Sequence, residues 1–166
     1  MTFDFKNSCN QEILDSFVDS DWASDIIDRK STSGYLIRFF GNIIFWKTHK
    51  QRSVTKSSTF AEYIALSEAI TEVMSFKELL KVFNLEIKTP VKVYEDNSGA
   101  IQIAQNGNLT KNSKHIEIHY SYVHDLTNKN EINVIKIKSK NNLADILTKS
   151  LCKQQFVKLR TLLKLN

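Results

Sequence analysis

The chain of 166 residues is short of several things, and each shortage removes a class of explanation. It has only two cysteines, Cys9 and Cys152, far apart in sequence, so no disulfide framework holds it and a reducing, intracellular setting is expected. It has no apolar run near the length of a membrane span, and no charged-then-apolar amino terminus of the signal-peptide kind. Internal repeats and low-complexity segments are absent as well. Its single proline, Pro90, leaves the long apolar-periodic stretches unbroken. What is present is an ordinary globular composition, 42% hydrophobic and 25% charged, enough for one domain with a real core. A net charge of +5 leans mildly towards an anionic partner, although solubility alone would account for it.

The chain divides into a tail or linker over 1–12, a domain over 13–151 and a C-terminal amphipathic helix over 152–166. A strand over Ile13–Val18 runs into Asp19-Ser20-Asp21-Trp22. Two β-rich runs, Gly34–Phe40 and Ile43–Trp46, flank Gly41-Asn42, a hairpin signal. Ser57-Ser58-Thr59 caps a long helix whose apolar residues, from Tyr63 to Phe83, recur every three or four positions, with Glu62 in its first turn. A strand over Val91–Glu95 stops at Asp96-Asn97-Ser98 and yields to a helix from Ala100 to Gln105. After a loop over Asn106–Asn112, Ile116, Tyr120, Val123 and Leu126 mark another amphipathic helix. A strand over Ile132–Lys138 follows, then a helix over Leu143–Leu147 capped by Asn141-Asn142, then one with Phe156, Leu159, Leu162 and Leu163 on its apolar face. Paired strands first, then strands alternating with helices, imply a mixed sheet covered by helices.

Four carboxylates stand at places where such a fold gathers ligands: Asp19, Glu62, Asp96 and Asp145. Singly, each is more simply a cap or a solvated charge. Together they suit two Mg²⁺ ions roughly 3.5–4 Å apart, which activate a water and stabilise the leaving oxygen of a phosphodiester. Setting these four aside leaves 14 acidic against 23 basic residues, a surface of +9 around an acidic site. Periodicity alone does not choose Asp19 over Asp21, or Asp96 over Glu95.

The motifs Asp19-Ser-Asp-Trp-Ala, Asp28-Arg-Lys-Ser-Thr-Ser-Gly-Tyr35 and Ser58-Thr-Phe-Ala-Glu-Tyr-Ile-Ala-Leu66 resemble the ribonuclease H domain of Copia/Ty1-type retrotransposon Pol polyproteins. Tyr94-Glu-Asp-Asn-Ser-Gly-Ala-Ile101, Ser113-Lys-His-Ile-Glu117 and Asn142-Leu-Ala-Asp-Ile-Leu-Thr-Lys149 continue the resemblance in the same order, so that it covers about residues 13–151. It implies a ribonuclease H-like α/β fold, with a five-stranded mixed sheet in the order 3-2-1-4-5 and helices on both faces. It also implies hydrolysis of the RNA strand of RNA–DNA hybrids with two Mg²⁺ (Mn²⁺ as an alternative) at Asp19, Glu62, Asp96 and Asp145. A reverse transcriptase domain of the parent polyprotein is the implied protein partner, and a cytoplasmic virus-like particle or the nucleus the implied location. There are two departures from the family's pattern. Phe60 stands where a second acid usually precedes the glutamate by two residues, and Glu95 replaces a neutral neighbour of Asp96. Because successive strand side chains alternate, Glu95 is expected to face away from the site or to be held by a basic neighbour. A catalytically silent remnant that only binds nucleic acid is the competing reading.

Several other residues invite a role. Lys47, Lys50, Arg52 and Lys56 form a basic run read as a phosphate-contacting edge, with a solvated loop as the plain alternative. Lys114 and His115 are read as contacts to substrate backbone, with a purely structural helix as the plainer alternative. His115 and His119 have the four-residue spacing of zinc sites, but no third ligand is evident nearby. Trp22, Tyr35 and Trp46 could stack on bases, whereas aromatic residues in strands are more often core. The last helix, with Lys153, Lys158, Arg160 and Lys164 opposite its apolar stripe, is expected to pack on the domain and not on a membrane.

Overall fold

A computed structural model describes residues 13–106 and 117–165. Its first three strands, β1 (Leu14–Asp21), β2 (Thr32–Phe39) and β3 (Asn42–Lys50), pair antiparallel in a meander. The long helix α1 (Ser58–Val82) then crosses the sheet and leads to β4 (Val91–Glu95), which lies parallel to β1. Helices α2 (Ser98–Asn106) and α3 (Glu117–Asn128) precede β5 (Ile132–Lys136), parallel to β4. A 3-10 turn (Ser139–Asn141), the short helix α4 (Asp145–Thr148) and α5 (Lys153–Leu162) end the described chain. The sheet order is β3-β2-β1-β4-β5, as the motifs imply.

Strand alternation divides the core between the two faces of this sheet. Val18, Val93 and Val134 point to one face, where Leu66 and Ile70 of α1, Ala104 of α2 and Val123 of α3 cover them. Phe17 and Leu36 point to the other, packed against Leu143 and Ala144 before α4 and against Leu159 and Leu163 of the α5 end. The last helix therefore docks on the domain through Leu159, although Phe156 and Leu162 stay largely exposed. Among the described residues no helix is long and apolar enough to cross a membrane.

The sequence boundaries shift in places, each for a local reason. β1 continues past Val18 to Asp21, because Asp19, Ser20 and Asp21 pair with Gly34, Ser33 and Thr32; ladder pairing overrides the poor strand propensity of Asp and Ser. The hairpin turn is Phe40-Gly41, both at positive φ, and not Gly41-Asn42, since Asn42 already pairs with Phe39. Lys47 and Lys50 belong to β3 and do not follow it.

Asn142 does more than cap a helix. Its Oδ1 accepts from the Ala144 N–H at 3.2 Å, and its Nδ2 donates to the Val18 carbonyl at 2.7 Å. Fully buried, it ties the segment before α4 to the central strand, while α4 itself starts only at Asp145. Asn142→Ala leaves the Val18 carbonyl without this donor, and should lower the unfolding free energy by about 1–3 kcal/mol. Urea denaturation checks this, and an unchanged midpoint would show that the tie carries no weight.

Candidate active site

The carboxyl ends of β1 and β4 lie side by side, and two other elements, α1 and α4, bring acids to them. Asp19 sits in β1 two residues beyond Phe17, so its side chain emerges on the α4 face. Gly34 lies opposite it, where a Cβ would collide with Thr148 Cγ2 and stand 2.9 Å from Leu147 Cβ. The missing side chain at Gly34 is what lets α4 approach the strand. Asp145 opens α4, and Thr148 Oγ1 donates to Asp19 Oδ2.

On the opposite face the same device recurs. Ser57 caps α1 by accepting from the Phe60 N–H at 3.3 Å. Glu62 lies in the following turn, not in the first as the sequence suggested, so the helix dipole is a weak reason for an acid there. Asn97 Oδ1 accepts from the N–H groups of Gly99 and Ala100 and starts α2. A Cβ at Gly99 would lie 2.8 Å from Thr59 Oγ1, so glycine allows the starts of α1 and α2 to meet. Glu62 and the end of β4 are thereby drawn together.

Two overlapping groups of acids result. Asp19, Asp96 and Asp145 each offer an oxygen within 4.8 Å of the others, as do Glu62, Glu95 and Asp96. Asp96 belongs to both, because it lies just past β4, where the chain is no longer bound by strand alternation. The four acids singled out by motif thus meet across the end of the sheet, and a fifth joins them. The expectation that Glu95 faces away is wrong. It shares the inward face of β4 with Val91 and Val93 and is 0% exposed, and among the described residues no basic side chain pairs with it.

No family model matches the chain. Over 144 residues it is 37% identical to the retrovirus-related Pol polyprotein from transposon TNT 1-94 of Nicotiana tabacum, covering 87% of this chain and 11% of that protein. A second such polyprotein, from transposon RE1 of Arabidopsis thaliana, is 32% identical over 152 residues, covering 92% of this chain and 10% of that protein. Among solved structures, LC11-RNase H1 from a compost metagenome superposes with a TM-score of 0.61 at 17% identity, over 89% of this chain and 98% of that one. The chain is a ribonuclease H-fold relative of Copia-type retrotransposon Pol polyproteins. It spans about a tenth of the length of the curated relatives it matches.

Within this ribonuclease H-fold domain the two halves of the acidic site differ in charge balance. Lys149 Nζ donates to Asp19 Oδ1 at 2.6 Å and to Asp145 Oδ1 at 2.9 Å. Burial works against its charge, but Asp19 and Asp145 outweigh burial and hold its pKa above the usual lysine value. Burial pushes Asp145 up to about 6, with Lys149 opposing and Asp19 adding to the rise. Glu62 has no ion-pair partner among the described residues: burial first, then the charges of Glu95, Asp19 and Asp96, push it up to about 10, with the Lys149 charge opposing. Burial raises Glu95 well above the ordinary carboxylate range, although the Asn97 N–H pulls the other way.

The basic run does not form one edge. Lys47 Nζ reaches Glu72 of α1 at 3.4 Å, whereas Lys50 is held by Asp25 and by Asp28 on the loop after β1. Both are thus paired, and three residues apart in a strand they point to opposite faces. Arg52 and Lys56 are exposed, without an ion pair among the described residues. Lys114 and His115 lie outside the described residues. His119 Nδ1 lies 2.9 Å from Ser67 Oγ, a contact inside the domain. Tyr35 is core, but Trp22 and Trp46 are exposed, and Trp22 Nε1 donates to the Thr55 carbonyl.

Glu62 binds its proton more tightly folded than unfolded. Its contribution to stability is therefore full below about pH 4.5 and is lost as pH rises towards about 10. Asp145 completes its smaller loss by about pH 6, so the range from about pH 7 to 9 reports chiefly on the glutamates. In EDTA the wild-type urea midpoint should fall across that range, and Glu62→Gln should flatten the fall. A wild-type midpoint that holds steady or rises would contradict this electrostatic account.

Proposed function

We propose that this domain hydrolyses the RNA strand of RNA–DNA hybrids with divalent cations, as part of a retrotransposon polyprotein that also carries a reverse transcriptase. The observation that carries the reading is the meeting of Asp19, Glu62, Asp96 and Asp145, from separate elements, across the end of β1 and β4. The donor set fits the implied ions. It consists of hard carboxylate oxygens, the kind that Mg²⁺ and Mn²⁺ take, and Glu62 Oε2 is buried without a hydrogen-bond partner among the described residues. Asp19, Glu62, Asp96 and Asp145 would hold two Mg²⁺, which when bound lower the pKa of an attacking water and offset charge on the leaving oxygen.

The chain's own residues prepare this site. Thr148 and Lys149 fix both oxygens of Asp19, and Lys149 also orients Asp145. Asn97, by starting α2, sets the backbone that carries Asp96. Rigid acids lower the reorganisation needed when a phosphodiester enters. In-line attack on the scissile phosphorus would leave a 3′-hydroxyl and a 5′-phosphate. Discrimination would rest on the shape of the hybrid and on its 2′-hydroxyls, not on base sequence. LC11-RNase H1, which shares the fold at 16% identity, has been solved in complex with an RNA/DNA hybrid.

The test is cleavage of an end-labelled hybrid duplex in Mg²⁺ and in EDTA. Wild-type protein should cut only in Mg²⁺, and Asp96→Asn should cut about a thousandfold more slowly with an unchanged circular dichroism spectrum. Binding of the hybrid without cleavage under any divalent cation would assign the domain to a silent remnant instead. Wild-type turnover in Asp96→Asn would remove Asp96 from the site.

A further inference from the structure

We propose that Glu95 is itself a cation ligand and completes, with Glu62 and Asp96, a carboxylate half-site on the α1 side of the sheet. The proposal rests on the nuclease reading and extends it to a residue outside the four acids that the motifs supply.

Three observations converge on Glu95. The first is placement. Glu95 occupies the inward position of β4 that follows Val91 and Val93, where a third apolar side chain would complete the core face. A carboxylate there, 0% exposed, has no packing rationale. The second is how its oxygens are used. Oε1 accepts from the N–H groups of Asp96 at 3.0 Å and Asn97 at 2.9 Å, which locks the side chain against the turn after the strand. Oε2 is buried and has no partner among the described residues, and the same holds for Oε2 of Glu62, itself 6% exposed. Both carboxyl groups thus keep an unpartnered buried oxygen, and both residues belong to a group that offers one ligand atom apiece within 4.8 Å of one another.

The third is the contrast between the two halves. Asp19 and Asp145 share the Lys149 ammonium. Among the described residues no cationic side chain pairs with Glu62, Glu95 or Asp96. Lys136 is the nearest in register, but its Nζ donates to the Asp96 carbonyl and the Ser98 hydroxyl and not to a carboxylate. Carboxylate oxygens of this hardness, with an unpartnered one on each glutamate, suit a small divalent cation that completes its shell with water. The plain alternative is that Glu95 only braces the turn through Oε1, its other oxygen idle.

Glu95→Gln separates these readings, because the amide oxygen can still accept from Asp96 and Asn97 while the charged ligand is gone. Mn²⁺ binding to the full chain is measured by titration calorimetry and by electron paramagnetic resonance, for wild type, Glu95→Gln and Asp145→Asn. Wild-type protein should take two ions. Glu95→Gln should lose one or weaken it at least about tenfold while retaining the other, and Asp145→Asn should weaken the other instead. The rise in melting temperature on adding Mn²⁺ gives a second readout, and it should shrink in Glu95→Gln even if the metal-free variant melts at a different temperature. Glu95→Gln that matches wild type in affinity, stoichiometry and Mn²⁺-induced melting shift would overturn the proposal. If that variant matches while wild-type protein still cleaves hybrid, only the role of Glu95 falls. If wild-type protein takes no Mn²⁺ at all, the nuclease reading falls with it.

Discussion

Lys149 bridging Asp19 and Asp145 is the interaction on which the arrangement at the end of the sheet depends. Two carboxylates on adjoining elements repel each other when water is excluded, by several kcal/mol at the effective dielectric of a protein surface, roughly 4 kcal/mol at 4 Å. An ammonium within 2.9 Å of both reverses the sign of that interaction. It does so with the chain's own charge, so α4 can close on β1 before any ion arrives. No cationic side chain pairs with Glu62, Glu95 or Asp96 among the described residues, and burial, with the neighbouring carboxylates adding to it, raises the pKa values of the two glutamates.

The rest of the fold holds this asymmetry in place. Two glycines remove the side chains that would keep the helices off: Gly34 lets α4 onto β1, and Gly99 lets α2 meet α1. Asn142 fastens the segment before α4 to the Val18 carbonyl, one residue before Asp19. Behind these contacts the two apolar layers, one around Val93 and Ile70 and the other around Phe17 and Leu159, make the sheet a rigid platform. Acids from both faces can then meet only past the strand ends, where Asp96 joins the two groups.

Much of this was legible in the sequence because its signals were local. Val91–Glu95 has the bounds expected from its β-branched run and the Asp-Asn-Ser that ends it, and the period of α1 survives from Tyr63 onward. The position of Glu95 is not legible in the sequence, because strand alternation does not extend to Asp96. The strand ends at Glu95, so Asp96 and Glu95 are not opposed across a pleat. Lys149 lies four residues after Asp145, a spacing that favours pairing on a helix, but its second partner, Asp19, is 130 residues away in sequence. The basic run looked continuous in sequence because its acidic partners, Asp25, Asp28 and Glu72, come from other elements. Long-range pairing of this kind leaves no periodic trace.

The most direct measurement is anomalous scattering from a crystal of the wild-type domain grown with Mn²⁺. The account predicts one peak bounded by Glu62, Glu95 and Asp96. A second is predicted beside Asp19, Asp96 and Asp145, with Lys149 displaced from at least one of its two carboxylates. A crystal that holds Mn²⁺ elsewhere, with both Lys149 pairs intact and no peak among the five acids, would contradict it.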